Sequence, residues 1–283
     1  MRAGVKRPGH NVCGSQVGTE GRRTGIILKS AREIESMRRA GRVVYAVLQR
    51  MRELARPGVT TGELNQAAET LIAEAGGQAL FKGVCHPQAK FPFPAALCTS
   101  VNEELVHGVP GDRVLKDGDV LGIDCGVKLS GYCGDSATTL PIGASNAGAK
   151  HLLRVTSRSL DLAIELMKPG RMWSAVAKEL QRYVEGEGLS VVRDFVGHGI
   201  GRDMHEEPKV PNYWDAKQRK HDFELTPGMV LAVEPMVALG HHAVEYGDST
   251  GWVVVMKDRK WSAHFEHTLA VTADGVEILT DGR

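Results

Sequence analysis

The 283-residue chain is predicted to be an α+β protein built from two similar halves, and three patterns carry that prediction. Two pairs of amphipathic helical runs occur, each interrupted by Pro-Gly, at Arg56-Pro57-Gly58 and at Lys168-Pro169-Gly170. Gly58 to Gly76 and Gly170 to Gly188 are each 18 residues apart, so an offset of 112 lays one pair on the other. Each pair is followed by short strand-like runs, and acidic or imidazole side chains stand inside those apolar runs. The chain lies near the size at which single cores stop growing, so one main domain is expected over residues 29–283, after a flexible extension over residues 1–28.

In chain order, Ser30-Ala-Arg-Glu33 reads as a capping box, and Met37, Ala40, Val44, Val47, Leu48 and Met51 continue a helical stripe to Arg56-Pro57-Gly58. Thr60-Thr-Gly-Glu63 caps a second helix, with Leu64, Ala67, Ala68, Leu71 and Ile72 on one face, which stops at Gly76-Gly77. The Pro-rich stretch from Val84 to Pro94 reads as an irregular loop at a site mouth. Val120 to Asp124, a turn at Lys128–Gly131, and Tyr132 to Leu140 form a hairpin that can turn Asp124 and Asp135 toward one point. The second helix pair runs through Leu152, Val155, Leu160, Ala163, Ile164 and Met167, then ends at Gly188. Phe265 to Thr272 reads as one strand, with a turn at Asp274-Gly275 before Val276 to Thr280.

Composition narrows the partners. Thirty-five basic against 34 acidic residues leave a net charge of +1, which makes no electrostatic case for a specific nucleic acid or a membrane. No secretory h-region opens the chain and no run approaches a membrane span. Five scattered cysteines without a CxxC pair argue against a disulfide framework or zinc ribbon and point to a reducing, cytoplasmic setting. A monomer is the simplest expectation, and the ribosome is a candidate partner for the basic N-terminal arm.

Asp124, Asp135, His198, Glu234 and Glu266 carry the chemistry. Each lies in an apolar, β-branched or glycine-rich context: Leu121-Gly-Ile-Asp124, Gly134-Asp135-Ser-Ala137, Val196-Gly-His198-Gly-Ile200, Val230-Leu-Ala-Val-Glu234 and Phe265-Glu266-His-Thr268. Buried carboxylates are tolerated when paired, hydrogen-bonded or bound to metal. An oxygen-rich set with one nitrogen and no thiolate suits Mn, Fe, Co or Zn. Four carboxylates carry −4 and two divalent cations +4, so the cluster is neutral with two metals and a neutral histidine. Adjacent cations of this kind activate water and polarise a peptide carbonyl, which makes hydrolysis the expected reaction. The repeat divides the ligands, two after the first helix pair and three after the second.

The segment Phe195-Val-Gly-His198-Gly-Ile-Gly-Arg-Asp-Met-His205, continuing to Val210-Pro-Asn212-Tyr213, resembles the signature of type I methionine aminopeptidases, and all five ligand contexts occur in that family's order across residues 30–283. The resemblance implies the pita-bread (creatinase/aminopeptidase) fold, two pseudo-symmetric halves around a dinuclear site. It implies removal of the initiator methionine from peptides and nascent chains when the second residue is small. Carried over by position, Asp124 chelates one metal, His198 and Glu234 hold the other, and Asp135 and Glu266 bridge both. Glu234 is then also the general base, His107 contacts substrate and moves protons, and His205 stabilises the tetrahedral oxyanion. Phe93, Cys98, Met204 and Trp252 fall near family pocket residues and would take the methionine side chain.

Two departures bear on that pocket: Met204 stands where an aromatic residue is usual, and Cys133 where a histidine is common. The remaining histidines, His264 and His267 among them, are read as structural or solvated, and Glu206 and Glu207 as polar loop residues. Two other functions compete. A proline-directed peptidase of the same fold usually has a large extra N-terminal domain, for which about 30 preceding residues leave no room, and a non-catalytic pita-bread binding protein typically loses metal ligands.

Overall fold

The computed structural model describes residues 25–283, so residues 1–24 of the expected N-terminal extension lie outside the described residues. Helix α1 (Ala31–Leu54) begins where Ser30 and Glu33 exchange capping hydrogen bonds, and α2 (Thr61–Glu74) begins with the same exchange between Thr60 and Glu63. Helix α3 (Ala147–Leu166) starts ahead of the predicted stripe because Asn146 accepts a capping bond from the Ala149 N–H. Helix α4 (Trp173–Gly186) has no side-chain cap.

The offset of 112 carries the last residue of α1 onto the last of α3 and both ends of α2 onto both ends of α4. Hydrogen bonds around the connections repeat too. Gly58 N–H donates to Leu115 O in the first half, and Gly170 N–H to Leu225 O in the second. Gly118 N–H donates to Ile142 O, and Gly228 N–H to Val271 O. Gly58 and Gly170 sit at φ +93° and +81°, where a side chain would be strained, so the Pro-Gly pairs serve as the same turn twice.

In the first half, Leu97–Val101, Val120–Leu129 and Tyr132–Pro141 make an antiparallel sheet with Gln78–Ala79 at its edge. Helix α1 lies close on this sheet, since a Cβ at Gly134 would meet the Gly41 backbone nitrogen at 2.7 Å. Val44, Val47, Met51 and Leu64 fill the interior against Leu97, Leu121, Ile123 and Val127. In the second half the order is Val276–Ile278, His267–Val271, Val230–Val233, Gly197–Gly199, Glu206–Val210. Trp173, Val176 and Leu180 of α4 pack there against Leu231, Val233 and Leu269.

One expected strand is broken. Instead of one strand over Phe265–Thr272, the ladder runs over His267–Val271, and Phe265-Glu266 falls in a gap after Ser262–His264. The cause is a change of partner: His267–Val271 pairs with Val230–Val233, whereas Ser262–His264 pairs with Met236–Ala238. Both chains cross between sheets at one level, at Glu234-Pro235 and Phe265-Glu266, where Pro235 has no N–H to give to a ladder. Phe265 N–H donates to Pro235 O across the gap at 3.3 Å. Two acidic residues therefore leave the regular ladder where the halves meet.

Candidate metal centre

The hairpin places two carboxylates first. Asp124 faces Ala137 and Asp135 faces Gly126, so both aspartates share one side of the sheet, offset by two positions. Hydroxyls then tie this hairpin to the second half. Asp135 N–H donates to Thr268 Oγ1 at 3.0 Å, and that hydroxyl donates back to Asp135 O at 2.8 Å. Ser136 Oγ donates to Glu266 O at 2.5 Å, while Glu266 N–H donates to Ala137 O at 2.9 Å. The seam brings Glu266 against the aspartates.

His198 enters from Gly197–Gly199, where a register shift follows it. Its Nδ1 lies 2.9 Å from Gly199 O. A carbonyl can only accept, so Nδ1 carries the proton and the Nε2 lone pair is free. That Nε2 is 3.6 Å from Glu234 Oε1. One ligand atom from each of Asp135, His198 and Glu266 lies within 4.8 Å of the others.

Electrostatics gives the cluster its meaning. Asp124 Oδ1, Asp135 Oδ1 and Glu266 Oε1 are buried without a hydrogen-bond partner. Burial, reinforced by Glu234, pushes Asp135 up to about 8, and burial does the same to Glu234. Asp124 and Glu266 are driven upward by burial and then by the neighbouring carboxylates. Burial pulls His198 down to about 4, which keeps its imidazole neutral near pH 7. Orphaned oxygens, mutual repulsion and a free imidazole lone pair fit a site for divalent cations.

His205 and His107 flank the cluster. The rings of His198 and His205 are 4.4 Å apart, edge to face, and His205 is exposed and accessible to a ligand. His107 sits at φ +59°, with its ring edge-on to Phe195 at 5.6 Å and to Trp252 at 6.5 Å. Burial pulls it down to about 4, with His264 as a lesser cause. Phe93, Cys98 and Trp252 form one apolar cluster, with Met204 packed against it. Cys98 pairs with Asp124 across the sheet, so this cluster borders the carboxylates. Trp252 Nε1 donates to Phe91 O at 2.8 Å, anchoring the Pro-rich loop. Cys133 packs instead with Met37, Ile200 and Val230, and its thiol faces Arg202 O at 3.4 Å.

Two residues outside the expected site also lie close to it or support it. His264 is 4% exposed, with Nε2 3.5 Å from Glu234 Oε2 and 4.0 Å from Glu266 Oε2. Its sequence context has no motif, and only the pairing of Met236 with His264 brings it to the site. Glu206 is no solvated loop residue: it meets Lys29 Nζ at 2.6 Å, with side chains 7% and 4% exposed. Its other oxygen accepts from Arg202 N–H at 2.9 Å and Asp203 N–H at 3.3 Å, fixing the bend that carries Met204 and His205. The spacing of Glu206 from the backbone amides at 202 and 203 was a signal available in sequence; the distant Lys29 was not.

The family model of metallopeptidase family M24 matches residues 35–273. Methionine aminopeptidase 1 of Bacillus subtilis is 47% identical over 255 residues, covering 90% of this chain and 99% of that protein. Methionine aminopeptidase of Escherichia coli is 39% identical over 256 residues, covering 90% and 94%. Among solved structures, methionine aminopeptidase from Thermotoga maritima aligns with a TM-score of 0.84 at 38% identity, covering 90% of this chain and 99% of that one. Prolidase from Pyrococcus furiosus aligns at 0.71 with 21% identity, and 65% of its length is covered, a likeness of fold alone.

Proposed function

The chain belongs to metallopeptidase family M24 and, within it, to the methionine aminopeptidases with their pita-bread fold, and from that premise we propose that it hydrolyses the bond after an N-terminal methionine, with a small second residue, using two divalent cations. The observation that carries the two-cation reading is the cluster of four carboxylates, Asp135 and Glu266 buried and Asp124 and Glu234 half-buried, three of them with orphaned buried oxygens, beside a neutral imidazole. Asp124 would hold one cation, His198 and Glu234 the other, and Asp135 and Glu266 both. Bound cations would lower the pKa of an attacking water and polarise the scissile carbonyl.

The chain's own groups do the rest. Glu234, whose affinity for a proton is raised by burial, takes the proton from the attacking water and returns it to the leaving amine. His205, exposed and kept neutral by partial desolvation, donates one N–H to the developing oxyanion. His107, held between Phe195 and Trp252, lines the path of the substrate amine. The apolar cluster of Phe93, Cys98, Met204 and Trp252 supplies soft, polarisable walls for a thioether. All these residues come from one chain, which supports action as a monomer. Buried free thiols at Cys98, Cys125 and Cys133 support a reducing, cytoplasmic setting.

A Met-Ala-Ser peptide incubated with the protein and Mn, Co or Fe should release methionine, and a Pro-directed dipeptide should be cleaved far more slowly. Absence of methionine release with every metal would sink this function.

A further inference from the structure

Glu234 lies between two imidazoles that treat it differently. His198 Nε2 is 3.6 Å from one carboxylate oxygen, but its proton is on the other ring nitrogen, so it offers Glu234 a lone pair and no hydrogen bond. His264 Nε2 is 3.5 Å from the second oxygen, its polar neighbour at that range, and is otherwise buried without a hydrogen-bond partner. When Glu234 is ionised, as a general base must be, its carboxylate can only accept, so the tautomer of His264 that favours this state directs Nε2–H at Glu234. The backbone of His264 is held from the opposite half, where its N–H donates to Thr139 Oγ1 at 2.9 Å and its carbonyl accepts from the same hydroxyl at 2.7 Å. The side chain is more than nine-tenths buried.

We propose that His264 is a positioning residue, whose Nε2–H fixes the rotation of the Glu234 carboxylate so that one oxygen stays aimed into the cluster while the other is restrained. It rests on the proposed reaction only through the role of Glu234. Outer partners that orient a ligating or basic group commonly change activity or metal affinity by about 10–100-fold when removed.

The test compares wild type with H264L, which removes the donor at similar volume, and with H264Q and H264N, two amides of different reach. Methionine release from Met-Ala-Ser gives kcat and KM, and calorimetric titration of the metal-free protein with Mn gives metal affinity independently of turnover. H264L should lower kcat by about 10-fold or more with KM within about 3-fold, and excess metal should not restore it. H264Q, which reaches Glu234, should recover most of kcat, and H264N should not. An H264L kcat equal to wild type would overturn the proposal. So would a loss fully repaired by excess Mn with a matching rise in the metal Kd, which would make His264 a metal ligand. If H264L does not fold, equal kcat in H264Q and H264N overturns it instead. Failure of wild type itself to release methionine is a different result, and would count against the function rather than against His264.

Discussion

A buried carboxylate oxygen without a partner is costly, and Asp124, Asp135 and Glu266 each have one. That cost made these residues readable from sequence, because single charges inside Leu121-Gly-Ile-Asp124 or Val230-Leu-Ala-Val-Glu234 demand compensation. His264 was not readable: Lys260-Trp-Ser-Ala-His264-Phe is an ordinary mixed stretch, and its proximity to Glu234 depends on strand pairing between distant residues. Individual roles can be separated by rate. His205→Ala should lower kcat by about 10²-fold or more if its N–H stabilises the oxyanion, with the melting temperature little changed because the side chain is exposed. An unchanged kcat on Met-Ala-Ser would remove His205 from the mechanism.

At the scale of elements, helices were legible because their signals are local: capping boxes at Ser30 and Thr60, and Pro-Gly stops after α1 and α3. Strand breaks were not, since Val230 to Ala238 reads as one apolar run and its interruption at Glu234-Pro235 follows from which strand lies alongside. The bend carrying Met204 and His205 is held by the Lys29–Glu206 pair, a contact between segments far apart in sequence. Removing one partner of such a buried pair costs about 3–5 kcal/mol because the other charge is left unpaired. Lys29→Met should therefore lower stability by about 3 kcal/mol in urea unfolding and reduce kcat through the displaced bend. A midpoint equal to wild type would show that the pair does not hold this loop.

Across the whole molecule, two copies of one helix-pair-and-strand unit meet along the Ser136, Thr139 and Thr268 seam, and each contributes part of the cluster. Asp124 and Glu234 occupy matching places in the halves, Asp124 within the strand that follows the glycine turn at Gly118 and Glu234 just past the end of the strand that follows the turn at Gly228. The pH dependence of the metal-free protein follows from this shared burial. Asp135 and Glu234 keep their protons up to about 8 in the fold but lose them near 4 when unfolded, so they favour folding at low pH and lose that advantage as pH rises to 8. His107, His198, His264 and His267, drawn down to about 4, act oppositely between about 4 and 6.5, because the unfolded chain takes up their protons first. Above about 6.5 only the carboxylates remain. In chelator, the melting temperature should fall from pH 6.5 to 8, and added Mn should raise it more at pH 8 than at 6.5. A rising metal-free melting temperature over that window would contradict this balance of groups.

In the proposed reaction the two halves together bind two cations, and methionine release needs them. Elemental analysis of the protein after anaerobic loading with Mn or Fe, run beside methionine release from Met-Ala-Ser, tests it most directly. Two cations per chain at saturation, activity that rises with occupancy, and loss of both metal and rate in Asp135→Asn are expected. Full activity in chelator, or an Asp135→Asn protein that keeps two cations and the wild-type rate, would contradict it.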